Sequence, residues 1–318
     1  MTYHPQAQQL LGVIAESGAP PLTEMTPEEA RQVPAIVMQM VGAGPDVAVI
    51  GDIEIPGPAG VIPARVYEPV PDPAGTVVYY HGGGWVIGTV DDWDAVCRAL
   101  AVASGARLVS VDYRLAPEHR FPAATDDAFA ALVWVADQHP DSPIVVAGDS
   151  SGGNLAAVSA LRAREAGGPD IALQVLVYPV VDCDLTRPSY AEYAGTKLIV
   201  NTPEMAWFWD HYAPDEAGRA HPYASPIRAS SLDGLPPAYI VIAQHDPLRD
   251  EGLAYAAALE AAGVPVAVAR HDDQIHAFFP LVNLLESADR AVAEAGAAIR
   301  DAVAARAPDA RTGRSGLP

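Results

Sequence analysis

The sequence is poor in lysine and cysteine. Among its 318 residues, Lys197 is the single lysine, and Cys97 and Cys183 are the two cysteines. The cysteines lie far apart and lack the spacing of metal ligands, so we expect free thiols rather than a zinc site or a disulfide framework. The sequence therefore points to no metal ion.

Positive charge is also scarce. Nineteen Lys and Arg residues face forty Asp and Glu residues, which gives a formal net charge of −21. A surface this acidic repels phosphate, so we expect no nucleic-acid partner. No stretch reaches the roughly 20 apolar residues of a membrane span, and no basic segment followed by an apolar run opens the chain. These absences predict a cytoplasmic protein without a membrane span.

Half of the residues are hydrophobic, and β-branched runs alternate with alanine-rich ones. The predicted strands are Val47–Ile55, Val61–Glu68, Thr76–His81, Arg107–Asp112, Pro143–Gly148, Leu173–Tyr178, Ala238–Ala243 and Pro265–Arg270. Several are apolar throughout, which is typical of parallel strands covered on both faces. The first two lie close together and predict an antiparallel edge. The sequence thus predicts an α/β fold with eight strands.

Helix-compatible segments separate these strands. The predicted core helices are Asp92–Ala103, Ala123–Gln138, Gly152–Ala166, Asp250–Ala262 and Ala288–Ala305. Two further segments lack the strand rhythm. The first has an N-cap signature near Thr26, and the second contains an apolar, aromatic helix at Pro203–His211.

The pattern divides the chain into a core and a cap. The core comprises residues 46–182 and 236–305, and the helical cap comprises 1–45 and 183–235. We expect residues 306–318 to form a disordered tail.

A glycine-flanked serine carries the strongest chemical signal. Gly148, Ser150 and Gly152 follow a strand and open a helix, which is the context of a nucleophile elbow. A glycine-rich turn capping a helix is the alternative, but the flanking strand and helix favour the elbow. The central position makes Ser150 the nucleophile, and the N–H of Ser151 then faces the oxyanion.

Three consecutive glycines occur in His81–Trp85, directly after the third strand. Their bare backbone can place N–H donors where charge develops on a carbonyl oxygen. We assign the N–H groups of Gly83, Gly84 and Ser151 to an oxyanion hole. A flexible loop is the alternative, and a phosphate-binding loop is disfavoured because neither a lysine nor dinucleotide spacing accompanies the glycines.

A serine nucleophile needs a base and an acid that orients it. In α/β-hydrolases they follow the serine in the order acid, histidine. Asp246 follows the seventh strand, and His276 follows the eighth. His271 stands at the expected end of the eighth strand, too early to reach back, and Asp272 and Asp273 are rival acids by composition. We predict Ser150, His276 and Asp246 as a catalytic triad that needs no cofactor.

Aromatic side chains mark the candidate substrate pocket. Trp85 follows the glycines, and Phe208 and Trp209 lie in the aromatic cap helix. We predict that they line an apolar acyl or alcohol pocket. Packing of the cap core remains the alternative, above all for Trp207 and Trp209.

The motifs HGGGW, YRLAPEHRFPAA, GDSSGGNLA, DPLRDEG and IHAFF occur in this order between His81 and Phe279. Together they resemble the bacterial hormone-sensitive-lipase-like carboxylesterases, family IV of the α/β-hydrolase superfamily. The resemblance implies hydrolysis of short- to medium-chain acyl esters with the residue roles given above. It also implies that Tyr113–Ala124 buttresses the site, and that homodimers are common.

Two positions depart from the family pattern. Ser151 stands where the family usually has alanine, and Ala277 stands where it usually has glycine. A non-catalytic ligand-binding protein on the same fold is an alternative function, as in plant hormone receptors that have lost the histidine, but His276 is retained here. An amidase or peptidase would use the same machinery and stays open.

Overall fold

The computed structural model describes residues 3–196 and 199–306. Arg306, the first residue of the predicted tail, is the last residue of a helix, and the rest of that tail lies outside the described residues. The strands are β1 Val49–Gly57, β2 Gly60–Glu68, β3 Thr76–Tyr80, β4 Arg107–Val111, β5 Ile144–Asp149, β6 Ile171–Val177, β7 Ala238–His245 and β8 Val266–Ile275. They form one sheet in the order β1-β2-β4-β3-β5-β6-β7-β8. β2 runs antiparallel to β1 and β4, and the pairs from β4 to β8 are parallel. The predicted eight-stranded, mostly parallel sheet with an antiparallel edge is confirmed.

Helices cover both faces of this sheet. Their bounds are α1 Pro5–Glu16, α2 Pro27–Ala30, α3 Gln32–Val41, α4 Asp94–Ser104, α5 Ala123–Gln138, α6 Ser151–Ala166, α7 Pro188–Tyr193, α8 Thr202–Tyr212, α9 Glu216–Ala220, α10 Arg249–Ala261 and α11 Glu286–Arg306. Two buried clusters result: α5, α6 and α10 pack on one face, and α4 and α11 on the other. Consecutive strand residues point to opposite faces, and Tyr80 and Tyr79 accordingly belong to different clusters.

The eighth strand is longer than the sequence predicts. It continues to Ile275, because its pairing with β7 runs on through Ala243 and His271 and resumes, after an irregularity, between His245 and Ile275. The expectation that His271 stands at the end of the strand is therefore wrong. His271 lies inside β8, where its ring packs against Phe278 with centroids 4.9 Å apart.

The two predicted cap segments contact each other. A 3₁₀ turn at Leu22–Glu24 packs against α8. The N-cap signature near Thr26 is a capping box, in which Thr26 and Glu29 bond each other's backbone N–H groups. Asn201 and Glu204 form a second capping box at the start of α8, where the aromatic helix was predicted. Within the described residues, no helix is long and apolar enough to cross a membrane.

Candidate active site

Ser150 lies at a sharp corner between β5 and α6. Its backbone has φ +56° and ψ −118°, a conformation that L-residues rarely adopt. The two flanking glycines make this corner sterically accessible. A Cβ built at Gly152 would lie 1.9 Å from the carbonyl oxygen of Tyr80, and one at Gly148 would lie 2.4 Å from the backbone of Gly152. Glycine is thus required at positions 148 and 152, because other parts of the backbone leave no room for a Cβ there.

The structure brings Ser150, His276 and Asp246 together. His276 Nε2 lies 3.0 Å from Ser150 Oγ, and His276 Nδ1 lies 2.7 Å from Asp246 Oδ2. The N–H of Leu248 donates to the other carboxylate oxygen of Asp246 at 2.7 Å, which fixes the carboxylate. Donation from Nδ1–H to Asp246 leaves the Nε2 lone pair to accept the serine proton. The arrangement can therefore generate a serine nucleophile.

The loop after β8 presents His276 through packing on Tyr178. The two rings have centroids 4.7 Å apart, and the Tyr178 hydroxyl accepts a bond of 3.2 Å from the N–H of Phe279. Ala277, at the position where glycine was expected, has φ +62°. Because alanine replaces the usual glycine, a residue that carries a Cβ adopts the left-handed backbone conformation next to His276.

The glycine loop, residues 81–93, connects β3 to α4 next to the elbow. Gly83 and Gly84 have φ values of +108° and +58°. The Gly83 carbonyl accepts bonds of 3.0 and 2.9 Å from the N–H groups of Val86 and Ile87, which closes a tight turn. Ser151 opens α6, where the first N–H groups of a helix have no intrahelical partner. The predicted donors thus lie on two adjoining segments.

The three aromatic residues predicted to contact substrate are all buried in one hydrophobic cluster. Trp85 and Trp209 have no exposed surface. Trp85 stacks on Tyr212 at a centroid distance of 4.0 Å and packs against Trp209 at 5.0 Å. Phe208 instead lies on the glycine loop, since a Cβ at Gly84 would sit 2.1 Å from its Cδ1. The geometry favours cap packing for Trp85 and Trp209, and leaves Phe208 as the aromatic candidate nearest the site.

Two residues that support the site were missed by the sequence analysis. Arg31 donates to the carbonyls of Val86 and Ala116 at 3.0 Å each and pairs with Glu118, so it ties the N-terminal segment to the loops around the site. Nothing in its sequence context distinguishes it from a surface arginine.

The second missed residue is Glu251, which belongs to the motif DPLRDEG. It accepts bonds from the N–H of Val181 at 2.7 Å and from the hydroxyl of Tyr190 at 2.8 Å. Its burial raises the pKa of the carboxyl to about 8. Its place in the motif DPLRDEG was the signal by which the sequence could have identified Glu251.

Among residues 3–196 and 199–306, no group of three His, Cys, Asp or Glu side chains is arranged to hold a metal ion.

The chain is similar to known esterases in sequence and in structure. The family described as having the alpha/beta hydrolase fold matches residues 77–280. Esterase LipI of Mycobacterium tuberculosis is 44% identical over 267 residues, which cover 80% of this chain and 82% of that protein. Ethyl acetate hydrolase of Pseudomonas putida is 40% identical over 240 residues, which cover 72% of this chain and 74% of that protein.

A solved structure extends this likeness to the whole fold. The hyperthermophilic esterase from the archaeon Pyrobaculum calidifontis has a TM-score of 0.89 and 42% sequence identity, with 95% of this chain and 100% of that chain covered. The family that the motifs predicted is confirmed. The chain belongs to the α/β-hydrolase family, among its carboxylic ester hydrolases.

Proposed function

We propose that this protein is a serine carboxylesterase that hydrolyses short- to medium-chain acyl esters through an acyl-enzyme. The observation that carries the proposal is the continuous chain of contacts from Ser150 Oγ to His276 Nε2 at 3.0 Å, and from His276 Nδ1 to Asp246 at 2.7 Å. A hydroxyl, an imidazole and a carboxylate in contact in this order are the catalytic triad of serine hydrolases.

The proposed reaction has two similar halves. His276 takes the proton of Ser150 as the serine oxygen attacks the ester carbonyl, and the resulting oxyanion accepts bonds from the N–H groups of Gly83, Gly84 and Ser151. His276 then gives its proton to the departing alcohol. Water, activated by the same imidazole, attacks the acyl-enzyme and releases the acid while Ser150 regains its proton.

A short acyl group agrees with the enclosed surroundings of the serine. Ser150 is 8% exposed and His276 is 2% exposed, and the ring of Phe208 lies against Gly84 of the glycine loop. The name of the Pseudomonas putida relative, ethyl acetate hydrolase, also indicates a small ester. We infer that Phe208 limits the length of the acyl chain that the site accepts.

A non-catalytic ligand-binding role is the weaker alternative. Such a protein needs no base beside the serine, whereas His276 and Asp246 are both buried and bonded here. An amidase would use the same residues, and the comparison of ester with amide substrates separates the two activities.

The test is an acyl-length series of 4-nitrophenyl esters, with the matching 4-nitroanilides and a Ser150→Ala variant. We expect turnover of acetate to hexanoate esters, a decline for longer chains, and no comparable turnover of the anilides. Ser150→Ala should lose at least about 10⁴-fold in kcat while unfolding at an unchanged temperature. Undiminished turnover by that variant would refute the triad.

The cytoplasmic location and the homodimer stay predictions. Fractionation of cells that produce the protein tests the first. Light scattering coupled to size-exclusion chromatography tests the second, since a dimer of this 318-residue chain has twice the mass of the monomer.

A further inference from the structure

One carboxylate oxygen contacts both ends of the glycine loop. Asp149 Oδ1 accepts a bond of 3.1 Å from the N–H of Gly82, at the start of the loop, and one of 3.0 Å from the indole Nε1–H of Trp93, at its end. Asp149 is the last residue of β5 and directly precedes Ser150. The loop and the nucleophile are therefore attached to the same point of the backbone.

A third donor completes this attachment. The hydroxyl of Tyr79, a residue of the buried cluster that includes α4, donates to Asp149 Oδ1 at 2.7 Å. Asp149 is 2% exposed, and a buried carboxylate is costly unless donors surround it. Its burial raises the pKa of Asp149 to about 6. The protein thus retains a group that would be unfavourable without these three bonds.

The loop also packs tightly against Asp149 and against its own first and last side chains. A Cβ at Gly82 would lie 2.4 Å from Asp149 Oδ2. A Cβ at Gly88 would lie 2.8 Å from the His81 ring and 2.9 Å from the Trp93 ring. Gly83 and Gly84 lie between these two contacts, so a shift at either end moves the backbone that carries the proposed donors.

We propose that Asp149 is a positioning residue for ester hydrolysis, and that its carboxylate sets the distance between the Gly83 and Gly84 N–H groups and the oxygen of Ser150. The proposal rests on the proposed function, because it assigns a role to the support of the oxyanion hole. Donors of this kind act by being fixed before charge develops, and a misplacement of about 1 Å can lower the rate about 100-fold.

Two neighbouring tyrosines provide a matched test. Tyr79 and Tyr80 are both fully buried on β3, but the hydroxyl of Tyr80 faces the other side of the sheet and donates to the Ala128 carbonyl at 2.8 Å. Tyr79→Phe and Tyr80→Phe each remove one buried hydroxyl. We expect Tyr79→Phe to lower kcat about tenfold at an unchanged KM, and Tyr80→Phe to leave kcat unchanged, with similar losses of thermal stability.

Two substitutions of the carboxylate itself test the same point. Asp149→Asn keeps an oxygen that can accept the three bonds, whereas Asp149→Ala removes the attachment. We expect a loss in kcat of about 100-fold for Asp149→Ala and of less than about tenfold for Asp149→Asn, both with little change in KM. Diethyl 4-nitrophenyl phosphate inactivates such enzymes with its phosphoryl oxygen in the oxyanion hole. Its rate of inactivation should fall more in Asp149→Ala than in Asp149→Asn.

The outcomes separate this proposal from the proposed function. Equal losses of kcat in the two tyrosine variants, or kcat within about threefold of the wild type in Asp149→Ala, would overturn the positioning role. Ser150→Ala is assayed in parallel. If it stays active, the proposed function fails, and if it is inactive while Asp149→Ala is fully active, only the positioning role fails. The tyrosine pair decides the matter if Asp149→Ala does not fold.

Discussion

The ring of Phe208 lies so close to Gly84 that a Cβ on this glycine would sit 2.1 Å from Cδ1 and 2.3 Å from Cγ of the ring. The contact joins cap helix α8 to the glycine loop. Because Cγ lies on the Cβ–Cγ bond axis, rotation of the ring about χ2 leaves this atom in place and cannot make room for a methyl group. The position of the cap helix and that of the proposed oxyanion donors are therefore coupled.

This contact predicts a loss and a partial recovery of activity. Gly84→Ala should lower kcat/KM about 10- to 100-fold, because the new methyl group pushes α8 and the loop apart. Adding Phe208→Leu should restore part of the loss, since leucine leaves room for the methyl group. The measurement is a double-mutant cycle in kcat/KM. Losses that simply add would show that the contact is not the cause.

The sheet, the sharp turn at Ser150 and the proximity of Asp246 and His276 to this serine could be predicted because each depends on local or ordered signals. Apolar runs marked the eight strands, and the chain order of the hydrolase motifs selected Asp246 and His276. The direction of a loop side chain has no such signal. Trp85 was predicted to meet substrate, yet its backbone has φ +61° and its ring stacks on Tyr212.

Long-range polar support was equally invisible in the sequence. Arg31 reaches backbone carbonyls 55 and 85 residues further along the chain. The extension of β8 past His271 depends on its irregular pairing with β7. The sequence of β8 alone does not show this pairing. These features depend on three-dimensional packing rather than on periodicity.

Ala277→Gly should stabilise the protein. Ala277 has φ +62°, which costs an L-residue roughly 1–2 kcal/mol, whereas glycine adds about 0.4–1 kcal/mol of unfolded-state entropy. We expect a net gain of about 0.5–1 kcal/mol in the free energy of unfolding, measured by urea titration. The matched control is Ala293→Gly, exposed within α11, which should lose about 1 kcal/mol. A loss in both variants would contradict the strain at position 277.

Glu251 should make the stability fall as the pH rises. Burial raises the pKa of its carboxyl from 4.5 to about 8, so the folded protein holds this proton more tightly than the unfolded chain does. Between these two values the folded state binds more protons, and the free energy of unfolding decreases with pH by at most about 1.4 kcal/mol per unit.

Glu251→Gln removes that proton while keeping an acceptor for Val181. The difference in stability between wild type and this variant should therefore shift against the wild type as the pH rises from about 5.5 to 7.5. Urea titrations at several pH values measure it, and other titrating groups cancel in the difference. Glu54→Gln, exposed on β1, controls for the loss of one acidic charge. A pH-independent difference would contradict the raised pKa.

Arg31 should matter more for its backbone contacts than for its ion pair. Its guanidinium donates to the carbonyls of Val86 and Ala116, and Glu118, which pairs with it, is 46% exposed. Arg31→Ala should cost about 1–2 kcal/mol of unfolding free energy, because both carbonyls lose a charged donor. Glu118→Gln should cost less than about 1 kcal/mol, as exposed ion pairs do.

The same two variants should also separate in activity. Val86 belongs to the glycine loop, so Arg31→Ala should loosen the loop and lower kcat/KM, whereas Glu118→Gln leaves the contact between Arg31 and Val86 in place. Arg31→Lys keeps the charge but lacks the planar fork that reaches both carbonyls at once, so it should recover only part of the loss. Steady-state kinetics on a 4-nitrophenyl ester and urea titration of the three variants provide the measurements. If Glu118→Gln were as damaging as Arg31→Ala, the ion pair and not the backbone contact would hold the N-terminal segment to the site.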